Sequence, residues 1–308
     1  MTTDSIDITF RIIFISQTVL GVLGNSTLLG LNIFSFLTGH KLKPINLLLT
    51  HFVFVNNVVL LSKGIPLIIA AFGVDNFLDD NGCKLAVYFH RVAQGLSLCT
   101  TSLLSCFQAI TIKSRSSKWA DFKATVPKFI ILSCFLFWVL NLLINGSILV
   151  YIRGPRKSRN TTKRQEFIYC SSSYVSGHIS IFVIMNSFFD LVCMGTMIWS
   201  SISMVLILHR HHQQIQYIRS NNFTPGGTPE TRATQAILLL VSIFVSFYVL
   251  NSIMTCYMSF SKPTPWIVYT SAFLASCFPT YSPFVLVLSD SQPLKYCVAF
   301  WQRIKLLF

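Results

Sequence analysis

The sequence predicts an all-α membrane protein, a seven-transmembrane helix bundle in a single domain. Three observations carry this reading. The 308 residues are 53% apolar and only 11% charged, with mean hydropathy +0.61, which excludes disorder and disfavours a soluble domain. Seven apolar runs stand between clusters of charge, each long enough to cross a hydrocarbon core of about 30 Å, which takes about 20 helical residues. The first three loops alternate basic, acidic, basic. The net charge of +14 would point to nucleic acid in a soluble chain; in an apolar one it points to basic loops facing the cytosol.

The first span, Ile12 to Leu37, is preceded by Asp4 and Asp7. Its length and the acidic start mark an uncleaved span rather than a signal peptide. The basic turn His40, Lys41, Lys43, Pro44 separates it from the second span, Ile45 to Phe72. The third runs from Leu85 to Ile112, the fourth from Phe129 to Ile152, the fifth from Ile179 to Leu208, the sixth from Ala236 to Phe260 and the seventh from Ile267 to Leu288. Prolines inside them are no objection, because neighbouring helices can satisfy the freed backbone groups. Lys41 and Lys43, then Lys113, Arg115, Lys118, Lys123 and Lys128, mark inner loops, and Asp75, Asp79 and Asp80 mark an outer one. The amino terminus is therefore expected outside, the carboxyl terminus in the cytosol.

The segment after the fourth span breaks the charge rule. It holds Arg153, Arg156, Lys157, Arg159, Lys163 and Arg164. The earlier loops outweigh it, and the sequon at Asn160-Thr161-Thr162 suits an outer, glycosylated loop. Of nine cysteines, only Cys83 and Cys170 fall outside the bilayer on the oxidising side. A bridge between them would tie this loop over the bundle; two free thiols are the alternative. Cys99, Cys106, Cys134, Cys193, Cys256 and Cys277 fall within spans, where cysteine packs as a small hydrophobe. Residues 289–308 read as a cytosolic tail, with Phe300, Trp301, Ile304 and Leu307 interleaved with Lys295, Arg303 and Lys305 as in an interfacial helix. Cys297 there is a palmitoylation candidate or a plain thiol. The sequons at Asn25 and Asn145 lie within spans, and the one at Asn222 lies in an inner loop, so none of the three should carry a glycan.

The ionisable groups singled out within the spans are Lys63, His90, Arg91 and Asp190. Each costs about 2.5–3.5 kcal/mol at a helix centre on insertion scales. Arg91 lies roughly 12 Å below Cys83 and Asp190 roughly 18 Å below His178 at 1.5 Å per residue. The expectation is that Asp190 pairs with Arg91 or is held protonated, the alternative being a purely internal packing role. Enzymatic readings fare poorly. Aspartyl chemistry needs two carboxylates and Asp190 stands alone in the spans. His209, His211 and His212, with Arg210 between them, do not share a helix face as metal ligands would. No Gly-rich phosphate loop, HExxH or GxSxG motif occurs. No metal, cofactor or nucleic acid is expected.

Local motifs then narrow the class. Leu61-Ser62-Lys63-Gly64-Ile65-Pro66, Phe77-Leu78-Asp79-Asp80 through Gly82-Cys83-Lys84, His90-Arg91-Val92, Phe107-Gln108-Ala109-Ile110-Thr111-Ile112, Ser203-Met204-Val205 through Leu208-His209-Arg210-His211, Arg232-Ala233-Thr234-Gln235, and Cys277-Phe278-Pro279-Thr280 through Ser282-Pro283-Phe284 closely resemble the vomeronasal type-1 pheromone receptors. These belong to the rhodopsin-like, G-protein-coupled superfamily. The resemblance covers all seven spans and the inner loops. It implies a plasma-membrane chemoreceptor for pheromone-like small molecules, signalling through an inhibitory-type heterotrimeric G protein. It also implies a ligand pocket beneath the outer loop, for which depth nominates His90, Arg91, Gln94, Asn186, Tyr257 and Tyr269. Lys113, Arg115, Arg210 and Arg232 are the candidate G-protein contacts, with solvated basic anchors as the alternative.

Departures from the wider superfamily are informative. Phe107-Gln108-Ala109 stands where an Asp-Arg-Tyr switch usually ends span three, and the second span offers Asn56 and Asn57 but no Asp. The Asn-Pro-x-x-Tyr element reads Ser282-Pro283-Phe284-Val285-Leu286. Activation must use other contacts. His90 replaces the aspartate of amine receptors, so a neutral or anionic ligand fits better than a cation. The competing readings are a bitter-taste or odorant receptor and, more remotely, a seven-span transporter, whose expected internal repeat is not found.

Overall fold

The computed structural model describes residues 2–38, 44–72, 77–113, 120–153, 164–166, 170–173, 178–218, 229–260 and 265–289. Helices α1 (Thr2–Leu37), α2 (Pro44–Ala71), α3 (Asp80–Lys113) and α4 (Ala120–Ile144) come first. A 3-10 turn (Asn145–Ser147) continues α4 into a single turn, α5 (Ile148–Tyr151). Strands β1 (Ile152–Arg153), β2 (Arg164–Glu166) and β3 (Ser171–Ser173) follow, then α6 (His178–Ile218), α7 (Pro229–Phe260) and α8 (Pro265–Ser289). Seven of the described helices are long and apolar enough to span a bilayer. Their apolar segments coincide with the expected spans to within a few residues, as a length set by the hydrocarbon core requires.

The bundle is built around α3, which touches α2, α4, α6 and α7, while α1 packs on α2 and α8. The main apolar core joins Phe52, Leu98, Leu104, Met197, Met204, Leu240 and Phe278, all buried. Helices α4 and α6 leave rows of large side chains exposed, among them Phe129, Leu132, Phe135, Phe188, Leu191 and Trp199. Aliphatic and aromatic residues facing outward on a spanning helix are the face that lipid solvates.

Close helix approach follows from small residues. A Cβ on Gly24 would lie 2.9 Å from the Pro283 ring, and one on Gly21 would lie 2.7 Å from Leu60 and 3.1 Å from the Thr280 backbone. Pro283 has no N–H for the carbonyl of Pro279 one turn earlier. The neighbouring helix supplies the donor, Asn25 Nδ2 bonding Pro279 O at 2.8 Å as well as Gly21 O at 2.8 Å. The Gly24-Asn25 pair thus lets α1 approach and then repairs the gap that the proline opens. Asn25 and Asn145 are both buried, their amides spent on backbone carbonyls, so neither sequon presents a free amide.

Two further seams order the bundle. Ser97 donates to Asn56 Oδ1 (2.8 Å) and Asn56 Nδ2 donates to Ser282 Oγ (3.0 Å), joining α3, α2 and α8. Trp138 Nε1 donates to His51 Nε2 (2.9 Å), and the Thr100 hydroxyl, which gives its own proton to Leu96 O, lies 3.1 Å from His51 Nδ1. That assignment leaves Nδ1 as the proton-bearing nitrogen. Helices α3 and α6 run in parallel, and Cys99···Cys193 (4.0 Å), Ser102···Thr196 (2.6 Å) and Cys106···Ser200 (3.2 Å) meet at one constant offset of 94 residues. Small side chains at i, i+3 and i+7 form such a seam.

At one end of the bundle Asp79 caps α3. Its carboxylate accepts from Gly82 N (2.7 Å) and its carbonyl from Cys83 N (3.0 Å), as an N-cap does. Cys83 and Cys170 are joined by a disulfide with Cα atoms 5.8 Å apart, buried with Ile152 beneath Leu78, Val87 and Ile148. Cys170 leads into β3, which pairs antiparallel with both β1 (Ile152 opposite Ser172) and β2 (Gln165 opposite Ser172). This small three-stranded sheet is an accessory to the helical bundle and was not expected from the sequence. Its strands are two or three residues long and mostly polar, so no apolar alternation announced them. The sequon Asn160, the segment with Arg115 after α3, the segment with Asn222 after α6, and the stretch with Cys297 lie outside the described residues.

Candidate functional site

Near the middle of the bundle, residues of α2, α3, α7 and α8 line a cavity of about 30 Å³. Phe244, Phe247 and Phe278 form its aromatic walls; Gln94, Ser97, Tyr248 and Asn251 are its polar positions. Spacing explains the lining: Phe244, Phe247, Tyr248 and Asn251 recur at three and four residues on one face of α7, and Gln94 and Ser97 are one turn apart on α3. Phe278 stands edge-on to Phe244, with ring centroids 4.4 Å apart, an arrangement that aromatic quadrupoles favour. Asn251 accepts from Ser271 of α8 at 3.0 Å. Tyr248 donates its hydroxyl to Asp190 Oδ2 of α6 at 2.7 Å, and the Asn186 amide reaches the same oxygen at 3.4 Å.

The sequence candidates divide against this geometry. Gln94 lines the cavity. His90 and Arg91 sit one turn nearer the disulfide, His90 half-buried against the backbone of Val59 and Arg91 exposed. Asn186 reaches the cavity indirectly, through Asp190 and Tyr248. Tyr269 packs instead on Phe10 and Phe14 of α1, with ring centroids 5.2 and 6.2 Å away, and Tyr257 is exposed at the α7 surface. Depth along a helix gives the level of a residue and says nothing of its direction, which is why those two tyrosines miss the cavity. Tyr248 and Asn186 supply the hydrogen bonds to Asp190; no salt bridge joins it to Arg91 among the described residues, although the Arg91 charge acts on the Asp190 carboxylate. Lys63 faces the α2–α3 seam, where it is a charge neighbour of Arg91 and His90.

Tyr248, Asn251 and Ser97 were missed. Their signal was an aromatic and amide stripe on α7, and at helical spacing such a stripe reads equally well as core.

The opposite end carries the other candidates. Gln108, one turn and a half before the end of α3, donates to Thr234 Oγ1 at the start of α7 (3.2 Å), both residues buried. Lys113 and Arg210 are exposed beyond it on α3 and α6. The side chain of Arg232 lies outside the described residues. Among the described residues no three His, Cys, Asp or Glu side chains converge as metal ligands. What the arrangement offers chemically is a largely apolar chamber with a few amide and hydroxyl groups, about three to four turns along α3 from the buried Gln108–Thr234 hydrogen bond.

Comparison with known proteins fits this layout. The model of the Vomeronasal organ pheromone receptor family matches residues 8–299. Vomeronasal type-1 receptor 4 of Homo sapiens is 42% identical over 294 residues, covering 94% of this chain and 96% of that protein. Vomeronasal type-1 receptor 1 of Gorilla gorilla gorilla is 41% identical over 93% of this chain and 81% of its own length. The Danio rerio Olfactory receptor class A-like protein 1 is 30% identical over 92% of this chain and 89% of its own length. Among solved structures, squid rhodopsin superposes with a TM-score of 0.73 at 16% identity, covering 98% of this chain and 87% of that one, a likeness of fold. With nearly the whole chain matched, it belongs to the vomeronasal organ pheromone receptor family, a multi-pass membrane chemoreceptor of the G-protein-coupled class and not an enzyme.

Proposed function

We propose that the chain detects pheromone-like small molecules at the plasma membrane and signals through an inhibitory-type heterotrimeric G protein. In this reading the disulfide-bearing end faces outward with the amino terminus, Asn160 carries a glycan, and the tail lies in the cytosol with Cys297 near the lipid. The basic residues Lys41, Lys43, Lys113 and Lys128 in the first two inner loops support that orientation. Lys113, Arg115, Arg210 and Arg232 then meet the G protein.

The observation that carries the proposal is the cavity lined by Gln94, Tyr248 and Asn251. At about 30 Å³ it holds a couple of water molecules, whereas small-molecule pockets run to about 300–1,000 Å³. A ligand that enters it must therefore favour a wider arrangement of α3, α7 and α8 over the closed one. That differential affinity is the thermodynamic requirement for a ligand to shift a two-state equilibrium. The polar groups on the walls are few and neutral, which suits an uncharged or anionic molecule with an apolar body.

The test is a ligand screen in cells expressing the full chain, with a readout of inhibitory-type G-protein activation. An activating ligand whose response is lost with pertussis toxin, and weakened by Asn251→Leu at unchanged surface expression, supports the reading. Ligand-driven solute uptake without G-protein activation sinks it. Tags at both termini that become accessible together in unpermeabilised cells would sink the orientation.

A further inference from the structure

Two of the cysteines outside the disulfide meet across the α3–α6 seam. Cys99 Sγ and Cys193 Sγ lie 4.0 Å apart, and both residues are buried. Asn141 of α4 gives one proton of its amide to Phe137 O (2.9 Å) and turns Nδ2 toward Cys99 Sγ at 3.7 Å, so this sulfur is an acceptor as well as a neighbour of the second thiol. Met194 and Met197 pack in the same core cluster, and the surroundings are therefore rich in sulfur. Asp190 stands one turn before Cys193 on α6, close enough for its charge to act on both thiols. Cys106 and Cys277, by contrast, meet the oxygen of Ser200 and the amide of Gln17.

Thiol sulfur is a soft donor that selects soft ions such as Cu(I). A metal–sulfur bond of about 2.3 Å sets the sulfurs of a linear S–metal–S unit about 4.6 Å apart, so these two need to part by only about half an ångström. A disulfide, about 2.05 Å long, asks them to close by about 2 Å. A tetrahedral ion such as Zn2+ takes four ligands, and among the described residues no third His, Cys, Asp or Glu joins the pair. We propose that Cys99 and Cys193 form a two-coordinate site for a soft monovalent cation of the Cu(I) kind, which clamps α3 to α6. On binding, one S–H bond breaks and one metal–sulfur bond forms, the proton leaving to solvent, and the second sulfur adds a lone pair. One positive charge replaces another, so the seam gains no net charge, which matters where an uncompensated ion is costly. The Asn141 amide steadies the sulfur that becomes thiolate, as outer-shell donors do. Neither thiol lines the cavity, and the inference stands apart from the ligand that enters it.

The experiment uses the full chain in phosphatidylcholine nanodiscs, without oxygen, with a substoichiometric amount of Cu(I) kept reduced by ascorbate. Such an amount fills the tightest site before the remaining thiols. X-ray absorption at the copper edge is expected to show two sulfur neighbours. The unfolding midpoint is expected to rise, because an ion shared by two helices binds only the folded arrangement; Zn2+ at the same ratio is expected to leave it unchanged. In competition against a Cu(I) chelator, Cys99→Ala and Cys193→Ala should each weaken the apparent affinity by about a hundredfold and abolish the rise, and Asn141→Leu should weaken it by about tenfold. Cys277→Ala should change neither. Each alanine variant removes one of the two donors, so either supplies the test if the other does not fold, and the sulfur count of the unaltered chain decides independently. Copper found with oxygen or nitrogen neighbours, or a rise that survives in the alanine variants, overturns the site. So does a pair of thiols that can no longer be alkylated after a chelator has stripped the copper, which assigns the two cysteines to a disulfide instead.

Discussion

Two regions of the bundle hold their polar groups in different ways. Around Asn25, Asn56, Ser97, Ser282 and Pro279, four helices exchange hydrogen bonds, although the Asn25 amide oxygen is left without a partner. Around Lys63, His90 and Arg91 the groups act on one another through charge: Arg91 acts on Lys63, His90 and Asp190, and His90 Nδ1 is left without a hydrogen-bond partner. Hydrogen bonds between helices need one geometry and so fix how the helices meet, whereas charge acts over a range of distances and fixes it less. Asp190 lies between the two regimes. It is an ionisable group within a span, yet Tyr248 and Asn186 engage it.

The largest expected effect breaks the lid over the second region. Cys83→Ser opens a loop of 87 residues, worth about 4–5 kcal/mol in the chain-entropy account, and surface expression measured by flow cytometry should fall to background. Next comes the scaffold. Gly24→Val would force the Pro283 ring away from α1, an overpacking cost of about 1–3 kcal/mol, read as a lower midpoint of thermal unfolding in nanodiscs. Asn56→Leu strands Ser97 and Ser282 at about 1–3 kcal/mol; a change as small as that of an exposed substitution such as Leu132→Ala would mean that the network is no scaffold. Smallest is Gln108→Leu. An interhelical hydrogen bond in a membrane averages about 0.6 kcal/mol, so loss of the bond to Thr234 should shift a two-state equilibrium about threefold. The expected readout is raised ligand-free G-protein activity at equal surface expression. Unchanged basal activity would place the α3–α7 contact outside the switch.

Much of this molecule was legible before any coordinates. The spans were, because Ile45 to Phe72 or Ala236 to Phe260 can satisfy their backbones in lipid only as helices. So was the Cys83–Cys170 bridge, from the side of the membrane on which the two thiols fall. The hydrogen-bond partner of Asp190 was not. Arg91, at a similar depth, acts on the carboxylate through its charge, while the hydrogen bond comes from Tyr248 on another helix. The same blindness to direction left open that Tyr257 and Tyr269 would stand away from the cavity. The small sheet beside Cys170 escaped because Ser171–Ser173 and Arg164–Glu166 pair through their backbones, and backbone pairing leaves little imprint on such short polar segments.

Hydropathy along the chain was enough to give the number of long apolar helices and roughly where each lies, because bilayer thickness and backbone hydrogen bonding admit few other solutions. Which faces meet was decided only on assembly. Helix rotation is set by how small residues such as Gly21 and Gly24 let neighbours close in and by which polar side chains then come within reach. Those are properties of pairs of helices, and no single span encodes them.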